Sequence, residues 1–119
     1  MPSISPSSNE IAFADLEREL MVTRKVLDRL PPEHYGWKPH EKSMSLGQLA
    51  LHVATLPDWI RGTIAEDELD AANAPRPPKE LKDRKQLLEL FDGHVAAVRA
   101  AVERFDPAKW NHPWTMRRG

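Results

Sequence analysis

The sequence predicts an all-α fold, an up-down-type helical bundle. Three observations predict it: three long segments place apolar residues at three-four spacing, proline clusters separate those segments, and no stretch alternates with a period of two long enough to form a strand. The first stripe is Phe13, Leu16, Leu20, Leu27 and Leu30, with Thr23 in the one missing place and Val26 widening it. Only a helix aligns that rhythm on one face. Charged residues fill the other faces, and Pro31-Pro32 ends the element because neither proline donates the next backbone hydrogen bond.

The second segment opens on Ser45-Leu46-Gly47-Gln48, a serine followed three residues later by glutamine, as in a capping box. Leu46, Leu49, Val53, Leu56 and Ile60 trace one face, and the spacing predicts that Leu49 and Leu56 are core. Pro57 removes the amide that would bond to the carbonyl of Val53, so a kink or loosened turn is expected there, with the helix ending between Ile64 and Leu69. After a proline-rich linker at residues 74–79 comes the third stripe: Leu87, Phe91, Val95, Val98, Val102 and Phe105. Alanines at 96, 97, 100 and 101 favour helix and close approach, and Asp106-Pro107 terminates it. The tail carries Trp110 and Trp114 without another periodic segment. Three amphipathic helices joined by two long connections suggest a larger bundle, with the fourth helix absent or supplied by a partner chain.

At 119 residues one domain is expected: a flexible segment at residues 1–9, then a bundle domain at residues 10–119 that is incomplete at its C-terminal side. With no cysteine, a disulfide scaffold, a thiolate zinc cluster and a cysteine nucleophile are all excluded. Seventeen basic against eighteen acidic residues leave no broad basic face, so no nucleic-acid partner is expected. Neither a secretory signal nor a run of roughly 20 apolar residues is present, so no membrane partner and a cytoplasmic location are expected.

Among candidate functional residues, His52 carries the most weight. On a helical wheel it falls just outside the second stripe, on the flank of Gln48 and Trp59, where an imidazole can point along a bundle interior. It reads either as a metal ligand or as a core-edge histidine bonded to a neighbouring carbonyl. His94, beside Gly93, reads as a boundary residue, while His34, His40 and His112 read as solvated. No two histidines stand four apart, and isolated imidazoles fall short of the three or four donors that a zinc or nickel site needs. Glu66, Asp67, Glu68 and Asp70 read as a solvated surface, and Trp37 and Trp59 as packing anchors. No phosphate loop or nucleophile elbow is present, and no catalytic residue is assigned.

The run Tyr35-Gly36-Trp37-Lys38-Pro39-His40-Glu41-Lys42-Ser43-Met44-Ser45-Leu46-Gly47-Gln48-Leu49-Ala50-Leu51-His52, followed by Leu56-Pro57-Asp58-Trp59, closely resembles the DinB-like family of damage-inducible four-helix-bundle proteins. The resemblance extends from about Asp15 to Trp114 and takes in Glu68-Leu69-Asp70, the proline-rich linker, residues 87–91 and Pro113-Trp114-Thr115. It implies a four-helix bundle holding a divalent metal, zinc or nickel, on three histidines: one from the second helix, matching His52, and an HxxxH pair from the fourth, which has no match here. It also implies a metal-dependent hydrolase or thiol S-transferase chemistry, inactive without that pair. The competing expectation is a non-catalytic helical module that forms a homodimer through the apolar face a fourth helix would cover.

Overall fold

The computed structural model describes residues 8–70, 76–106, 108, 113 and 115–117. Helix α1 is Ser8–Arg29, a 3-10 turn follows at Pro32–His34, α2 is Leu46–Ala65 and α3 is Arg84–Arg104. Two three-residue strands, β1 (Glu68–Asp70) and β2 (Thr115–Arg117), pair in parallel with Leu69 opposite Met116. The fold is thus helical, as the periodicity requires. The strand pair leaves no trace in the pattern because three residues are too few to show alternation. Of the residues singled out above, Trp110, His112 and Trp114 lie outside the described residues, as do residues 1–7 and part of the linker.

The α2 and α3 helices begin where the sequence supplies a cap. The Ser45 hydroxyl accepts the Gln48 amide at 3.1 Å while the Gln48 side chain accepts the Ser45 amide at 2.9 Å, completing the capping box. Asp83 caps α3 by accepting the Gln86 amide at 2.7 Å. The α2 helix runs unbroken through Pro57, which is buried, and ends at Ala65.

The α3 helix is the central rod. Leu87, Phe91, Val95 and Val98 are buried along one face, meeting Leu20 and Leu27 of α1 and Ala50, Leu51 and Ala54 of α2. The α1 and α2 helices each pack on α3 and scarcely touch one another. Glu17 and Arg99 form a two-point ion pair at 2.9 and 3.0 Å, and Arg24 and Asp92 another at 2.8 and 2.9 Å. Moving up α1 from 17 to 24 moves down α3 from 99 to 92, so these helices are antiparallel. By contrast Gly47 lies against Leu81 and Asp58 near His94, so α2 runs parallel to α3. Phe13 and Phe105 stack edge to face, 6.1 Å between centroids, where α1 begins and α3 ends.

The core face of α2 differs from the periodic reading. Leu49 and Leu56 are 48% and 41% exposed, whereas Leu51 is 1% exposed, Ala50 3% and Ala54 0%. This helix is apolar on two sides, and spacing alone favours the side with the larger side chains. The small residues Ala50 and Ala54 let α3 come close, Gly47 lets Tyr35 and Leu81 come close, and these contacts take precedence over the bulky stripe. Val53 and Ile60 are half-buried at the border between the two faces. Among the described residues no helix is long and apolar enough to cross a membrane.

Candidate functional site

With Leu51, Ala54 and Thr55 turned to the core, the 100° step of an α-helix carries His52 to the opposite side, between Leu49 one turn before and Leu56 one turn after. His52 is exposed there. The expectation that its ring points into the bundle interior is therefore corrected: the interior side of α2 is the alanine face, and the imidazole sits on the uncovered leucine face. Residues 43–57 contain no Asp, Glu, Lys or Arg, so this outer face is apolar and uncharged apart from His52 itself.

Among the described residues no group of three or more histidine or carboxylate side chains is placed to hold a metal ion. His34 and His40 are exposed in the loop before α2, where the His40 Nδ1 accepts the Lys42 amide at 3.1 Å. Glu66, Asp67 and Glu68 are exposed at the end of α2, with Glu66 3.8 Å from Arg61. Trp37 is 58% exposed rather than cementing the loop, and Trp59 is half-buried. One imidazole does not make a metal site, so the described residues alone do not fit the three-histidine centre that the resemblance implies.

A second polar cluster, which the sequence reading did not single out, lies between α2 and α3. Arg61 Nε donates to Asp58 Oδ1 at 2.9 Å, and His94 Nδ1 lies 3.8 Å from the same oxygen, all three side chains largely buried. The Asp-to-Arg spacing of three was the available signal. At 3.8 Å the histidine is outside hydrogen-bond range, so this is an interhelical contact and not an aligned acid-base pair.

At the start of α2 a cavity of about 300 Å³ is lined by Tyr35, Lys38, Gln48, Lys79, Glu80 and Leu81. Helix starts with lysines nearby suggest an anion, but the local amides are already committed. The amides of Leu46 and Gly47 donate to the carbonyls of Trp37 and Tyr35 at 2.9 and 2.8 Å, and those of Ser45 and Gln48 are used by the cap. Beneath it the Tyr35 hydroxyl is buried without a hydrogen-bond partner among the described residues. Burial raises its pKa above the ordinary phenol value, and the positive charge of Arg84 opposes the shift.

The α1 and α2 helices pack on a central α3, and the Tyr35-to-Trp59 stretch spans the loop and α2. The DinB superfamily matches residues 15–119. This chain belongs to the DinB superfamily. The match takes in all of α2 and α3 and α1 from Asp15 onward, and with it His52 and the whole uncovered leucine face. Comparison with curated proteins and with solved structures returned no match.

Proposed function

We propose that this DinB-superfamily chain is a divalent-metal-binding protein of the hydrolase or thiol S-transferase type, in which His52 is one ligand and a helix packing on the leucine face brings the others. The observation that carries this reading is a lone imidazole set among Leu49 and Leu56 on an uncharged, uncovered helix face. A face that is apolar on both sides of a helix is built to be covered on both sides. A histidine at its centre would then be enclosed against whatever covers it, where a zinc or nickel ion could be shielded from bulk water. The metal would lower the pKa of a bound water or thiol. Because the described residues provide one donor, no catalytic step is derived. Calorimetric titration with nickel or zinc tests the reading: His52→Ala should abolish the strongest uptake, while His34→Ala and His40→Ala leave it. Uptake unchanged in His52→Ala would overturn it.

A second reading, a non-catalytic module that self-associates, is favoured by the exposure of Val22 and Val26 (52% and 54%) together with Leu49 and Leu56. Sedimentation of the metal-free chain tests it, and a monomer across the micromolar range would overturn it.

A further inference from the structure

We draw no further inference here: the strongest candidate, the cavity of about 300 Å³ at the start of α2 lined by Tyr35, Lys38, Gln48 and Lys79, rests on a helix N-terminus whose amides already serve the capping box and the loop carbonyls, and the unpartnered Tyr35 hydroxyl beside it feels the charges of Arg84, Asp83 and Glu33, none of which lines the cavity.

Discussion

Truncating two leucines two positions apart on α2 separates the observed core from the one that periodicity favours. Leu51 is 1% exposed and packs in the cluster with Leu27, Phe91 and Leu87, while Leu49 is 48% exposed. Leu51→Ala removes buried methyl groups and leaves a cavity that close-packed neighbours fill only in part, at a cost of about 2–5 kcal/mol. Leu49→Ala removes a half-exposed side chain and should cost under about 1 kcal/mol. For a domain with total stability of about 5–15 kcal/mol, the first change takes a large share and the second is hardly visible. Urea melts followed by circular dichroism, run at sub-micromolar concentration so that association does not contribute, give both values from the midpoints at constant slope. Equal losses, or a larger loss for Leu49→Ala, would refute the assignment of the alanine side as the core face.

Three further outcomes follow from the caps, the ion pairs and the buried phenol. Asp83→Ala removes the α3 cap and should lower stability by about 1 kcal/mol in the same melts, with Asp83→Asn retaining most of it. The pKa values of Glu17 and Asp92 are lowered, chiefly by hydrogen bonds from Arg99 and Arg24. Their contribution is therefore present above the ordinary carboxylate range and is lost as pH falls through the depressed values. An acid titration should show this loss, reduced by added salt because both pairs are about half exposed, and absent in a Glu17→Gln, Asp92→Asn double variant. Tyr35→Phe removes a buried hydroxyl without a partner and should cost nothing or raise stability slightly; a loss above about 1 kcal/mol would show the hydroxyl to be bonded. Because burial raises the Tyr35 pKa, ionising the phenol is disfavoured in the folded state: stability is insensitive to this group below about pH 10 and falls as pH rises through the folded value, a fall that the phenylalanine variant should lack.

Much of the fold was legible because its signals are local. The Ser45-to-Gln48 capping box, the stop at Pro31-Pro32 and the α3 stripe from Leu87 to Val98 all depend on residues within a few positions of one another. The orientation of α2 was not legible, because Ala50 and Ala54 carry too little apolar bulk to compete with Leu49 and Leu56 in any periodicity count. What decides between the faces is how near α3 can approach, a property of the pair and not of either helix. The same reversal moved His52 outward. Its identity as the residue of interest came from the surrounding motif, while the direction of its ring depended on which side of α2 became core. The Asp58-Arg61 pair is local to α2, but His94 is brought to it only by the parallel register of α2 and α3, which no local pattern specifies.

That parallel register has an electrostatic corollary. With α2 and α3 pointing one way and α1 the other, one end of the molecule gathers two helix starts and a single helix finish, and the other end gathers the reverse. The start of α3 meets the finish of α1 directly, where Arg84 Nη2 donates to the Leu30 carbonyl at 3.5 Å. Peptide dipoles add along each rod, so one start, that of α2, is left uncancelled and gives the whole assembly an axial polarity. Any rod packed side by side and antiparallel with α2 would supply the opposing dipole and bring the net axial moment near zero.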